Sequence, residues 1–280
     1  DTTSIECDEI EKILDNSKFK KIVEKEFSSD SKYGIFKKAG LAVGDIKRTM
    51  EGHTDKGEGV TVVRLKSNAD QGKFTQGATE SKAGEKKYWK VNREMFGDIF
   101  VAFPADDLVL MVHKEDLMKS ILNKESGKID VSETMKELVG KVAGGTHWSV
   151  HETKRSGPMP DFGAMPGLGI DADVMKAMNS TKGNARRMDL SGDTIDVSTY
   201  TLYANSDDAQ KVYAWQEKKK EESMKKFDEA FASDVNSKLN AAQKEAIRNM
   251  VKGADIETSM SLDMGPFTDL ESSPVPFGFF

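Results

Sequence analysis

The chain has 280 residues, enough to bury a sizeable core in one large domain or in two related halves. Its 37% hydrophobic and 31% charged residues are typical of a folded, well-solvated protein and argue against extended disorder. The net charge of -6 argues against sequence-independent binding of nucleic acid, which needs clustered basic side chains, and leaves room only for a local basic patch. No run of about 18 apolar residues is present, so no transmembrane helix is expected.

Helices come first in the predicted order of elements. Apolar residues at three-to-four spacing, with Lys and Glu on the opposite face, predict one or two helices over 5–27. Sheet is expected to begin near Val43 and to pass through a hairpin turn at 54–57 into a β-branched strand over 60–65. A polar stretch at 69–85 is expected to contain a short helix and a loop.

The clearest hairpin follows in the middle of the chain. Extended structure resumes at 88–91, strands at 99–103 and 108–112 join through a turn at 104–107, and a helix over 116–123 turns its apolar side inward. The proline that opens the turn supports this reading, because proline in a central strand would remove a hydrogen bond of the ladder.

The second half of the chain repeats this mixture of helices and strands. A helix is expected after Ser132, a good N-cap, and Gly144 with Gly145 ends it. Asp171 is expected to cap a second, short helix. The helix after Ser132 covers 133–142. The other predicted elements are helices over 207–231 and 234–252, and strands at 148–150, 187–190, 195–203 and 256–262.

A short unit recurs three times along the chain: a β-hairpin, a turn with capping residues, and a helix. The strand and capped turn of its three copies cover residues 59–70, 107–116 and 195–208. The recurrence predicts an α+β fold with two similar modules of antiparallel β-sheet covered by helices. A coincidental likeness between ordinary α+β segments explains it equally well. The predicted domains are an N-terminal module at 1–125, a C-terminal module at 126–265 and an apolar C-terminal tail at 266–280.

The sequence contains one cysteine, Cys7, which rules out an intramolecular disulfide. We expect an ordinary thiol on the first helix, with an intermolecular bridge as the alternative. The sequence begins at Asp1 without an initiator methionine, which fits removal of an export signal and also fits a shortened chain. With so little cysteine, we expect an extracytoplasmic bacterial protein, whether periplasmic, cell-surface or secreted, after removal of a signal peptide.

No motif of a known catalytic or nucleotide site is present: the sequence lacks a Walker loop, a GxSxG elbow and an HExxH pair. His147 and His151 flank a predicted strand, where four residues span about 13 Å, too far for one metal. The acids at 189–196 lack the carboxylate of a calcium loop, because its twelfth position is Tyr200. We therefore predict no catalytic residue, metal site or cofactor.

Two apolar segments without helical or strand periodicity are the candidate interaction sites. One is a loop at 156–170 rich in Gly, Pro and Met, and the other is the aromatic tail at 273–280. Aromatic rings on a proline-restricted backbone can bury large areas at a low ordering cost. Methionines that pack a core, and a tail that folds back on its own sheet, are the simpler alternatives. The candidate residues are Met159, Phe162, Met165, Leu168, Val275, Phe277, Phe279 and Phe280.

Residues 97–110, followed by Lys114 to Leu117, read as a strand, an Asp-containing turn, a second strand and a short helix. This pattern resembles one that recurs in tandem in uncharacterised exported proteins of planctomycete-type bacteria. The resemblance covers 40–150 and, more faintly, 185–262. It implies export and an α+β module, and it provides no catalytic residues to transfer.

The leading functional hypothesis is a non-catalytic, extracytoplasmic structural or protein-interaction protein. It self-assembles through its aromatic tail, so the expected partner is a protein, either another chain or a second copy of this one. The alternative is a module that binds a small apolar ligand or lipid, with the Met/Phe loop as a lid. An enzyme of unrecognised type is the third hypothesis. No nucleic-acid partner is expected.

Overall fold

The computed structural model describes residues 2–28, 34–93, 97–123, 131–153, 170–191, 194–232, 254–261 and 265–276. The chain divides into two compact units, unit 1 at Asp1–Ser132 and unit 2 at Glu133–Phe280. Both units combine antiparallel strands with helices, which confirms the predicted α+β class with antiparallel sheet.

The sheet of unit 1 is built from antiparallel pairs of strands. Its strands are β1 (Thr2–Asp8), β2 (Ile46–Thr54), β3 (Gly59–Leu65), β4 (Thr79–Ala83), β5 (Lys86–Arg93), β6 (Gly97–Ala105) and β7 (Leu108–Val112). They lie side by side in the order β1-β2-β3-β7-β6-β5-β4. The β2–β3 turn closes at the predicted place, where Gly57 has a φ of 70° and its N–H donates to the Thr54 carbonyl at 3.0 Å.

Five α-helices and a 3₁₀ turn at Val43–Asp45 accompany these strands in the described part of unit 1. The helices are α1 (Ile10–Asp15), α2 (Ser17–Ser28), α3 (Gly34–Lys38), α4 (Gln71–Phe74) and α5 (Glu115–Asn123). On one face of the sheet, edge-to-face aromatic pairs join α3 and α4 to the strands: Phe36 to Phe74 at 5.6 Å, Phe74 to Phe103 at 5.7 Å, and Phe103 to Trp89 at 5.5 Å between ring centroids. Helix α5 packs on strands β5, β6 and β7 of the same sheet.

The predicted helix over 5–27 is wrong at its start, because residues 2–8 form strand β1. Thr3, Ile5 and Cys7 are buried while Ser4 and Glu6 are not, which is the alternation of a strand. The strand pairs with β2, with Cys7 opposite Met50. Cys7 therefore lies in the sheet, and the helices begin at Ile10. Pairing with a distant strand decides the conformation here, and no local pattern reveals it.

Two further differences from the predicted elements concern strands β4 and β6 of unit 1. The polar stretch expected as a short helix and a loop contains α4 and also β4, whose residues Thr79–Ala83 pair with β5. Strand β6 extends through Pro104 to Ala105, into the first half of the expected turn at 104–107. The register shifts between Ala102 and Ala105, and this bulge accommodates a residue that has no N–H to donate.

Unit 2 contains α6 (Glu133–Val142), β8 (His147–Glu152), α7 (Ala172–Met178), β9 (Thr181–Ser191), β10 (Thr194–Tyr203), α8 (Ser206–Ala232), β11 (Ala254–Ser261) and β12 (Gly265–Pro276). Its strands pair in the order β11-β12-β10-β9-β8. The cap predicted at Asp171 is confirmed, because its carboxylate accepts from the Val174 N–H at 2.8 Å. At the start of α8, the Asn205 side chain accepts from the Asp208 N–H at 2.9 Å.

Helix α6 packs the core of unit 2. Met135, Leu138 and Val142 recur at three-to-four spacing and are fully buried. A second cluster joins Ala177 of α7 and Tyr203 of β10 to Ala209 and Val212 at the start of α8. The predicted helix over 234–252 lies outside the described residues. The start of the predicted tail is a strand, β12, which lies between β10 and β11.

Candidate functional site

Helix α5 and the sheet of unit 1 form an apolar cluster on one face. Along each strand every second residue points to this face, and on the helix Leu117, Met118, Ile121 and Leu122 turn toward it. The buried members of the cluster are Ala83, Tyr88, Phe100, Ala102, Leu110, Val112, Met118 and Leu122. Val60, Val62, Leu117 and Ile121 are only partly buried and border an open space.

Two hydrogen bonds hold α5 on strand β5, and an ion pair within the helix supports one of them. The Tyr88 hydroxyl donates to the Glu115 carboxylate at 2.6 Å, and the Lys119 ammonium lies 2.9 Å from the same carboxylate. At the other end of the helix, the Lys86 Nζ donates to the Leu122 carbonyl at 2.7 Å, which pairs one of the carbonyls that a helix end leaves free. The first and the last turn of α5 are therefore both tied to one strand.

The electrostatics of this contact are asymmetric. Burial raises the pKa of Tyr88, and the hydrogen bond to the Glu115 carboxylate raises it further. The same hydrogen bond, followed by the one from Lys119, lowers the pKa of Glu115. The phenol is therefore a neutral donor and Glu115 a charged acceptor at neutral pH, which is the charge-assisted arrangement.

Beside α5 lies a cavity of about 860 Å³ within unit 1. Its apolar lining comes from consecutive strands and from the helix. No histidine or cysteine is part of the lining. The apolar lining residues are Ile5, Met50, Val60, Val62, Trp89, Ala102, Phe103, Pro104, Leu108, Leu110, Leu117, Ile121 and Leu122.

The few charged groups of the lining are distributed unevenly. Glu58, next to β3, is ion-paired with Lys114 at 2.9 Å, and this contact lowers the pKa of Glu58. Lys86 and Lys87 lie on β5 and are both exposed. Lys87 forms an ion pair with Glu80 of β4 at 3.0 Å, whereas Lys86 contacts the end of α5. The arrangement suits an apolar molecule that has one polar end.

The interaction residues predicted from the sequence are not brought together in the described part of the chain. Met159, Phe162, Met165 and Leu168, together with Phe277, Phe279 and Phe280, lie outside it. Val275 is described for its backbone alone, which pairs with Ile195 in the β10–β12 ladder. Interaction through these residues stays a prediction.

Sequence reasoning missed the cavity, although it predicted most of its parts. The sequence predicts the hairpins that supply the sheet and the inward side of α5, but it does not predict an open space between them. Partial exposure of Val60, Val62 and Ile121 depends on how far α5 extends across the sheet. That extent is fixed by contacts of Tyr88 and Lys86 with residues far along the chain.

Other predicted candidates have structural explanations. His147 and His151 lie on β8, as expected, at a strand spacing of four residues. Cys7 is buried in β1, and burial raises the pKa of its thiol to about 12, partly opposed by Arg48. The thiol is therefore protonated at neutral pH and is a poor nucleophile. Of the helices in the described ranges, none combines the length and apolar character that crossing a bilayer requires.

No protein-family model and no curated protein matches the chain. Among solved structures, it is similar to TP0453, a Treponema protein. Crystal form I has a TM-score of 0.46 at 10% identity and covers 99% of this chain and 90% of that chain. Crystal form III has a TM-score of 0.46 at 8% identity, with 99% and 91% covered. Crystal form IV has a TM-score of 0.43 at 7% identity, with 72% and 77% covered. A likeness this remote carries no argument about function.

Proposed function

We propose that unit 1 is a binding module for a small apolar or amphipathic molecule, which occupies the cavity beside α5. The observation that carries the proposal is the cavity itself, whose volume of about 860 Å³ falls within the range of small-molecule sites, roughly 300–1,000 Å³. Its mostly apolar lining with a few polar groups is the usual composition of such sites. This supports the ligand-binding alternative predicted from the sequence.

The partly exposed side chains supply the driving force. Met50, Val60, Val62, Leu117 and Ile121 line the cavity and keep apolar surface in contact with water. A ligand that covers about 100 Å² of such surface gains about 2.5 kcal/mol from burial. The sheet and the anchored helix are already in place, so little ordering cost opposes binding.

The experiment is titration of the full chain with Nile red, a neutral dye whose fluorescence rises in apolar surroundings. Val62→Phe and Ile121→Phe place a ring in the cavity, and we expect each to weaken dye binding about tenfold or more. Val139→Phe is the matched control, because Val139 is partly exposed on α6 and is not part of the lining. Equal dye affinity in all four proteins, or none in the unaltered chain, would overturn the proposal.

Self-assembly through the aromatic tail and export from the cytoplasm stay predictions from the sequence. The loop at 156–170 was predicted to be the lid of a ligand site, and its residues 156–169 lie outside the described part of the chain. In the described part, α5 is the helix that contributes Leu117, Ile121 and Leu122 to the cavity lining. Similarity between the two units also stays a proposal, supported by the shared order of hairpin and helix in β6–β7–α5 and β9–β10–α8.

A further inference from the structure

The lysines near α5 differ in how their charges are compensated. Lys90 faces Asp98 at 2.7 Å, Lys114 faces Glu58 at 2.9 Å, and Lys119 faces Glu115 at 2.9 Å. Lys86 instead donates to the neutral Leu122 carbonyl, and within the described ranges no carboxylate pairs with it.

Lys86 also borders the cavity. Ser120 and Leu122, from the last turns of α5, line it as well, and Lys86 contacts Leu122. An ammonium group has three N–H donors, and the Leu122 carbonyl occupies one of them. A cation beside an apolar cavity, with donors to spare, is complementary to an anionic group attached to an apolar molecule.

The position of Lys86 along the sheet sets the orientation of such a molecule. The strands that line the cavity are β1, β2, β3, β7, β6 and β5, which are consecutive in the sheet. Five strand spacings amount to about 24 Å, and Lys86 lies on the last strand of this series. The one carboxylate of the lining, Glu58, lies beside β3 and is compensated by Lys114. The lining is therefore long and apolar, and at one end lies a cation with which no carboxylate of the described residues pairs.

We propose that the occupant is a single-chain amphiphile with an anionic head group, which binds at Lys86 while its chain extends over Ala102, Leu110 and Val62. This inference rests on the proposed function, because it specifies the class of ligand for the same cavity. A carboxylate and a phosphate share the chemistry that Lys86 recognises, so both kinds of head group enter the test.

The test uses the full chain and measures displacement of Nile red by three ligands of equal chain length: hexadecanoate, hexadecyl phosphate and hexadecan-1-ol, each below its aggregation threshold. The variants are Lys86→Met, which keeps the length of the side chain and removes its charge, and Lys86→Arg, which keeps the charge. Lys82→Met is the matched control, because Lys82 is an exposed lysine on β4 that is not part of the lining.

We expect the unaltered chain to bind at least one of the anionic ligands more tightly than hexadecan-1-ol. Lys86→Met should weaken binding of that ligand about tenfold, as loss of a charge-assisted hydrogen bond does, and leave hexadecan-1-ol unchanged. Lys86→Arg should retain most of the affinity, and Lys82→Met should retain all of it. Preference for the carboxylate or the phosphate then identifies the head group.

The failures are distinguishable. Equal affinity for the alcohol and both anions, or no effect of Lys86→Met, would overturn the head-group inference while Nile red binding still supports the cavity. A Lys86→Met variant that loses the alcohol and the anion equally would show that Lys86 acts by holding α5, which also overturns the inference. Absence of binding by the dye and by all three ligands would remove the proposed function itself.

Discussion

Replacing Gly183 by alanine should destabilise unit 2 by about 1–3 kcal/mol, the usual range for overpacking a core. A Cβ at this position would lie 2.8 Å from the His151 carbonyl oxygen and 2.8 Å from the Leu138 Cδ1. Neither neighbour can yield easily, because His151 contributes backbone of the paired strand β8 and Leu138 is fully buried. Gly183 lies on β9, between β8 and β10, so the strand itself is held on both sides.

The matched control is Gly140→Ala, on helix α6. An added Cβ there meets nothing within 4 Å. Since alanine is favoured over glycine within a helix by about 1 kcal/mol, this variant should be slightly stabilised. The same chemical change is thus expected to have opposite signs at two positions of unit 2.

The assay is urea unfolding of the full chain, followed by tryptophan fluorescence; Trp148, buried on β8, reports on the strand that Gly183 would push against. A midpoint for Gly183→Ala equal to that of the unaltered chain would refute the reasoning from close approach. So would equal losses in both glycine variants, because the local space around the two positions would then not decide the outcome.

The remaining predictions concern ionisation, reactivity and assembly. Because the pKa of Glu115 is lowered in the folded chain, its contacts stabilise unit 1 fully above pH 4.5, the ordinary pKa of the group, and this stabilisation is lost as the pH falls through the lower pKa of the folded state. Glu115→Gln should therefore unfold at a lower urea concentration than the unaltered chain at neutral pH. In acid the two midpoints should become equal. Cys7 should react with a thiol reagent slowly in the folded chain and rapidly in urea, and prompt labelling without urea would contradict its burial. If the tail at 277–280 drives self-assembly, replacing its three phenylalanines by alanine should lower the mass measured by light scattering; equal masses would exclude that role.

Among the described residues, local patterns predicted several of the helices and hairpins correctly. The period of α6 and the capping residue before α7 are both readable within a few residues, and both are found as expected. The recurring hairpin followed by a helix is present at all three predicted places, before α4, α5 and α8. These features depend on hydrogen bonds and side-chain spacing between near neighbours, which is the information that a short window of sequence contains.

The parts that sequence reasoning missed depend on distant partners. Strand β1 was read as helix because its pairing with β2 joins residues some 40 positions apart, as Asp8 and Thr49 do. The tail has no periodicity that predicts a strand; of the alternatives left open, a tail that folds back on its own sheet agrees with β12, which pairs with β10, well before it in the chain. The cavity is a third case, because it reflects which apolar residues α5 leaves uncovered, and composition alone does not distinguish a packed valine from a half-exposed one.

The position of β4 has a consequence for how this molecule meets other chains. In the order of strands β4 ends the series, so one side of its backbone is not paired within the described sheet. Such an edge invites addition of a foreign strand, which is the usual route to aggregation. Here the strand is only five residues long and exposes Glu80 and Lys82. An incoming strand would have to place its side chains beside these charges, so the edge is protected against recruitment of further chains while the apolar cavity of the same unit stays open.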